Sequence, residues 1–251
     1  MAVVAIGALW LGGLAFLALV ALATLLMWAE WTAMMGLGPG LRRAGLVLLA
    51  GVMALLAVVS VSEVLLALAG GAALMGLFAR GVQPGKGSLT AAGLLYCGLP
   101  AVALLWVRDL REGLAATLLL LVIVWTTDIA AFFAGRAIGG RKLAPRISPN
   151  KTWAGAVGGV VAAMLVAGVL ASLYLPSGFG RWTLTMASFG GALAVLSVLG
   201  DLLESGLKRR AGVKDSGTIL PGHGGVMDRL DGLVPVAVAG AAVFWMTGWA
   251  G

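Results

Sequence analysis

LAATLLLLVIVWTTDIAAFFA, residues 114–134, holds a single charge, Asp128, in twenty-one residues. A helix needs about 20 apolar residues to cross the hydrocarbon of a bilayer, so the stretch reads as a membrane span. The same template finds seven more, near 13–35, 43–60, 62–80, 90–107, 153–175, 183–203 and 231–250. An open sheet cannot sit in lipid, so the fold class is all-α: a polytopic integral membrane protein of eight to nine transmembrane helices. Ala2–Leu11 is apolar but too short to span, and it lacks the basic start of a signal peptide. It reads as a re-entrant piece or the remnant of a longer helix.

Composition agrees. Apolar residues make up 61% of the 251 and charged residues 11%, where a soluble domain carries about 25% charged. The 39 glycines suit helices that approach closely in lipid. Cys97 stands alone in an apolar run, which excludes a disulfide framework and leaves a small space-filling hydrophobe. The nine tryptophans lie mostly near span ends, as interfacial anchors do. There is no strong internal repeat and no linker. One domain is expected over 1–251, with N-terminal spans in 1–110 and the motif-bearing part in 111–251.

Fourteen of the 17 basic residues fall in alternate loops, leaving only Arg108, Arg111 and Arg181 on the other side. By the positive-inside rule the first set is cytoplasmic. The net charge of +7 is therefore assigned to orientation and anionic lipid, not to nucleic acid.

The charges concentrate in residues 200–231, GDLLESGLKRRAGVKDSGTILPGHGGVMDRLD, which hold five of the ten acids and the one histidine, His223. If the seventh span stays helical to its end, Asp201, Glu204 and Ser205 share one face, and Asp228 and Asp231 repeat the i, i+3 spacing at the start of the eighth. Paired carboxylates at neighbouring helix ends are the oxygen ligands Mg²⁺ prefers. Lys208, Arg209, Lys214 and Arg229 add positive charge, and the turn at 221–225, with Gly224 and Gly225, offers bare backbone to phosphate oxygens. Carboxylates, cations and a glycine loop describe phosphoryl or nucleotidyl transfer. Asp128, inside a span, reads as functional or as a partner for Arg136. Ser148-Pro149-Asn150-Lys151-Thr152 reads as the start of the sixth helix, suited to an anion.

The pattern Ser205-x-Leu207-Lys208-Arg209-x4-Lys214-Asp215-x-Gly217-x2-Leu220-Pro221-x-His223-Gly224-Gly225-Val226-x-Asp228-Arg229-Leu230-Asp231 resembles the signature of the phosphatidate cytidylyltransferases (CDP-diacylglycerol synthases). The Gly200–Ser205 and Asp128–Thr152 segments are similar to that family too. Three departures stand out: Ala154 where glutamate is common, Phe132 where tyrosine is common, and Ala2–Leu11 in place of a basic segment and full first helix.

The resemblance implies the reaction CTP + phosphatidate → CDP-diacylglycerol + pyrophosphate at the cytoplasmic face of the inner membrane. The implied metal ligands are Asp201 and Asp228, then Asp231, with Glu204 and Asp215 of second rank, for Mg²⁺ and a further cation. Lys151, Lys208, Arg209, Lys214 and Arg229 would hold phosphates, Gly224 and Gly225 would give backbone contacts, and His223 would touch phosphate or nucleotide. Ser148, Thr152, Ser205 and Asp128 complete the substrate-binding set. The expected partners are CTP, phosphatidate and the bilayer, with a homodimer as one assembly and no nucleic acid. Rival readings are a transporter of an anionic solute, whose charges would lie nearer mid-membrane, and a cytidylyltransferase for another lipid phosphate. The Asp-Gly-x2-Ala-Arg motif of the CDP-alcohol phosphotransferases is absent.

Overall fold

The computed structural model describes residues 2–174, 180–219 and 224–248. The chain runs α1 (Ala2–Leu11), α2 (Gly13–Met34), α3 (Pro39–Leu55), α4 (Val61–Val82), α5 (Gly87–Asp109), α6 (Gly113–Ile138), β1 (Lys142–Ala144), β2 (Ser148–Thr152), α7 (Trp153–Tyr174), α8 (Arg181–Arg210), α9 (Met227–Leu230) and α10 (Leu233–Met246). Helices α2, α4, α5, α6, α7 and α8 are long and apolar enough to cross a membrane. The other two expected spans appear as α3, of 17 residues, and α10, of 14. At 1.5 Å per residue these reach about 26 and 21 Å, short of the hydrocarbon thickness. The class is an all-α, multi-pass membrane fold.

Helix ends follow local chemistry. Ser60 and Glu63 form a reciprocal capping box at the start of α4. At the end of α6, Gly139 and Gly140 take φ of +67° and +89°, which turns the chain into a hairpin. There the strands β1 and β2 pair antiparallel, Lys142 opposite Thr152.

This hairpin corrects one expectation. Residues 148–152 form a strand, and the helix begins at Trp153. Its cap is Thr152, whose Oγ1 accepts from the Gly155 amide at 3.1 Å. Pro149 sits in the strand and opens no helix. A second correction concerns Asp228 and Asp231, which precede α10 instead of starting it. Pro235 has no N–H to return to the Asp231 carbonyl, so the short α9 is separated from α10.

Two tryptophans also depart from the anchor role. Trp28 and Trp31 are buried, and their ring N–H groups donate to the carbonyls of Arg42 (2.9 Å) and Leu89 (3.0 Å). They pack where Gly45 and Gly93 leave room, since a Cβ at either position would come within 2.3 Å of an indole atom. Cys97 is buried, as its apolar setting implied.

The motif-bearing half is packed through small residues. A Cβ on Gly155 would lie 2.7 Å from the Ala131 carbonyl oxygen, and one on Gly159 2.8 Å from that of Thr127. Those contacts seat α7 on α6, while Gly190 does the same for α8 on α7, 2.9 Å from the Ala163 oxygen. The exposed face of these helices carries Phe132, Phe133, Leu165 and Leu173, as a lipid-facing surface should.

Gly159→Ala should therefore lower the thermal unfolding temperature in detergent, through an overpacking penalty of about 1–3 kcal/mol. Gly70→Ala, where a Cβ meets nothing within 4 Å, should leave it unchanged or raise it.

Candidate functional site

Four charged groups from four segments act on one another at the first centre. They are Asp128 on α6, Lys151 on β2, Asp201 on α8 and Asp231 just after α9. Lys151 forms an ion pair with Asp201, and Ser205 Oγ donates to Asp201 Oδ1 at 3.2 Å, one helical turn along. Glycines bring the acids together. A Cβ on Gly200 would stand 2.4 Å from the Asp231 carbonyl oxygen, and one on Gly232 2.4 Å from Ser197 Oγ. Each acid thus adjoins a glycine that lets α8 meet the segment leading into α10. Burial raises the Asp231 carboxyl above the ordinary range, and the Asp201 carboxylate adds to it; the Gly232 amide donates to it at 2.7 Å.

Lys208 is the hub of the second centre. Its ammonium pairs with Asp228 Oδ1 and lies 3.0 Å from Glu204 Oε1, one turn back on α8. Asp228 Oδ2 accepts from the Ser216 amide (2.9 Å), the Ser216 hydroxyl (3.0 Å) and the Gly225 amide (2.8 Å). Burial pushes the Asp228 carboxyl up, but Lys208 and the two amides outweigh it and hold it at about 2. Gly224 turns with φ +79°, and its missing Cβ leaves space beside Asp228.

A residue the sequence reading passed over completes this centre. Glu30 of α2 is buried, with Oε1 accepting from the Val226 amide at 2.8 Å and Oε2 from the Met227 amide at 2.8 Å. Ser216 Oγ lies 3.0 Å from the same Oε2. The available signal was a lone acid in an otherwise apolar span, the argument already applied to Asp128.

Other expected residues are distributed differently. Arg209 reaches the carbonyls of Ile147 (3.4 Å) and Val213 (3.3 Å), clamping the hairpin and the post-α8 loop to the helix end. Ser148 pairs with Ala144 in the hairpin, and Thr152 caps α7. Lys214 and Asp215 are exposed on the loop. His223 lies outside the described residues.

Asp128 and Arg229 also line a cavity of about 560 Å³ whose remaining wall is mostly apolar, with Phe16, Val20, Ala101 and Leu121 among its residues. Charged and apolar surfaces thus share one chamber.

Several features fit a hard divalent cation. The donors are all oxygen. Glu204 is fully buried with Oε1 3.0 Å from the Lys208 ammonium, and its Oε2 meets no hydrogen-bond donor among the described residues. Among the described residues, Lys151 is the ammonium that acts on Asp128 and Asp231 and pairs with Asp201, so three carboxylates face one cation there. Among the described residues, no three acidic, histidine or cysteine side chains already stand as a finished ligand cluster.

Fold and site together define a multi-pass helical membrane protein with a charged centre opening onto an apolar chamber. A cytidylyltransferase family profile matches residues 1–247, and the chain belongs to that family. Curated relatives named phosphatidate cytidylyltransferase include one from Brucella suis, 50% identical over 160 residues, covering 63% of this chain and 56% of the relative. One from Pseudomonas aeruginosa is 40% identical over 173 residues, covering 67% and 62%. One from Bacillus subtilis is 43% identical over 149 residues, covering 58% and 53%. The matched stretch thus spans little more than half the length of these relatives.

Lys208→Met should leave Glu204 and Asp228 buried without their cation. The expected loss is about 3–5 kcal/mol of stability, read as a lower unfolding temperature in detergent.

Proposed function

We propose that the protein transfers the cytidylyl group of CTP to phosphatidate, giving CDP-diacylglycerol and pyrophosphate. The observation that carries this reading is the shared chamber: an apolar wall suited to acyl chains meets Arg229 and Asp128 within one cavity. Lifting the chains into water would cost about 0.8 kcal/mol per CH₂, so a site that admits them from the bilayer is the economical arrangement. Family membership and the names of the relatives support the same chemistry.

In this mechanism a phosphatidate oxygen attacks the α-phosphorus of CTP. The new P–O bond forms as the bond to the β-phosphate bridging oxygen breaks, and pyrophosphate leaves. A phosphomonoester has a second pKa of about 6, so the nucleophile is already largely anionic and needs no strong general base. The work lies in holding two polyanions in line. Lys151 and Lys208 pair with carboxylates of the two centres, Arg229 lines the cavity beside Asp128, and all three would hold phosphate groups. Gly224 would present bare backbone to them, while the Gly225 amide stays on Asp228 Oδ2. Mg²⁺, held by Asp201, Asp231 and Glu204, would neutralise triphosphate charge and stabilise the departing pyrophosphate. Asp228, with its oxygens already engaged by Lys208, Ser216 and Gly225, ranks behind these as a ligand and serves to anchor Lys208.

We also propose that eight segments cross or enter the bilayer and that the charged centre faces the cytoplasm at the inner membrane. The distribution of fourteen basic residues on one side supports this orientation. Phosphatidate is proposed over other lipid phosphates because the relatives carry its name.

Incorporation of labelled CTP into chloroform-soluble lipid, with detergent-solubilised protein and phosphatidate, tests the reading. CDP-lipid should form with Mg²⁺ and cease with EDTA; absence of product across a Mg²⁺ titration would sink it. Asp201→Asn should cut turnover at least about 100-fold, equivalent to about 2.7 kcal/mol in the barrier, without shifting the unfolding temperature by more than a few degrees.

A further inference from the structure

The N-terminal half contributes a buried carboxylate, Glu30, to charged centres whose other described members start at Asp128. We propose that Glu30 is a positioning residue: through Ser216 and the amides that open α9, it sets the orientation of Asp228 and so of Lys208.

Glu30 is the only charged residue in α2 and is 3% exposed. A helix that merely had to span would carry an apolar residue there, since a buried carboxylate is unfavourable without donors aimed at it. Its donors come from segments 186 to 197 residues away in sequence: the Ser216 hydroxyl and the Val226 and Met227 amides. The loop is shaped to receive it. A Cβ on Gly217 would fall 2.9 Å from Glu30 Cγ and Oε1, and one on Gly225 2.6 Å from Oε2. Two glycines of the signature are therefore bare where any side chain would push the loop off this carboxylate.

One hydroxyl touches both carboxylates directly. Ser216 Oγ stands 3.0 Å from Glu30 Oε2 and 3.0 Å from Asp228 Oδ2. A serine hydroxyl has one proton to donate, so the two carboxylates compete for it. Meanwhile the Ser216 and Gly225 amides remain on Asp228 Oδ2, leaving Oδ1 turned to Lys208. Glu30 grips the backbone immediately before Asp228 at Val226 and Met227, and it touches the residue that holds Asp228 from the other side. Losing it would free both constraints at once. Lys208 would then keep its charge but lose its fixed direction, which impairs turnover more than substrate affinity.

The catalytic part of this inference rests on the cytidylyltransferase reading, so the experiment has two arms. The first measures hydrogen exchange in full-length Glu30→Gln, where the near-isosteric amide turns one acceptor into a donor facing other donors. Faster exchange in residues 214–219 and 224–228, with the remaining helices unchanged, is expected. Unchanged exchange there overturns the inference whether or not the protein makes CDP-lipid. The second arm measures kcat and KM for CTP and phosphatidate, together with the unfolding temperature. Glu30→Gln should lower kcat at least about tenfold with each KM within about threefold, a loss in transition-state stabilisation alone. The double variant with Ser216→Ala should be no slower than the slower single one, because both act through one chain of contacts. Multiplying effects, or full kcat in folded Glu30→Gln, would refute the positioning role. Should Glu30→Gln fail to fold, Ser216→Ala alone decides: it keeps both amide bonds to Glu30, and an undiminished kcat in it counts against the proposal. If wild-type protein yields no CDP-lipid, the activity reading has failed and the exchange arm still stands.

Discussion

An ammonium held between two acids in a nearly uncharged chain is the constraint on which the site depends. Lys208 meets Glu204 within its own helix and Asp228 across the α8–α9 gap. Removing charges from water is unfavourable by several kcal/mol per ion, and attraction offsets it only when the geometry is good. That requirement fixes where α9 must sit relative to α8. The remaining oxygen of Asp228 then draws in the Ser216 and Gly225 amides, which orders the glycine loop before α9.

Close approach is the second requirement, and glycine meets it at each helix crossing that matters. Gly155 and Gly159 seat α7 on α6, so that β2 delivers Lys151 toward α8. Gly200 and Gly232 bring Asp201 and Asp231 into one electrostatic field. Small residues in lipid let backbones meet without a hydrophobic driving force between helices. At Gly200-Asp201 and Asp231-Gly232, packing and chemistry are carried by the same short motifs.

Much of this was legible in the sequence because it rests on local rules. Span positions follow from apolar run length, and observed helix limits lie within a few residues of the expected ones for α2, α4 and α7. The Asp201–Ser205 contact is a one-turn relation readable from spacing alone. What escaped depends on long-range pairing. The strand at 148–152 exists because Lys142 lies opposite Thr152, and nothing in SPNKT by itself reports that partner. Trp28 and Trp31 looked like interfacial anchors until Gly45 and Gly93, distant in sequence, were seen to receive them. Arg209 was expected to face phosphate, yet its guanidinium is directed to backbone carbonyls of two neighbouring segments. Glu30 belongs to another class, since its lone charge in an apolar span was visible and only its donors were not.

Helix α8, at 30 residues, reaches about 45 Å, while α10, with 14, reaches about 21 Å. The hydrocarbon between them is about 30 Å thick. The first exceeds that thickness and the second falls short of it, and Asp201 and Asp231 belong to the places where they meet. A helix that exceeds the bilayer tilts or protrudes, and a short one thins the lipid around it. A bilayer that moved α8 against α10 would therefore load the alignment of the charged centre mechanically, through the solvent and not through any ligand.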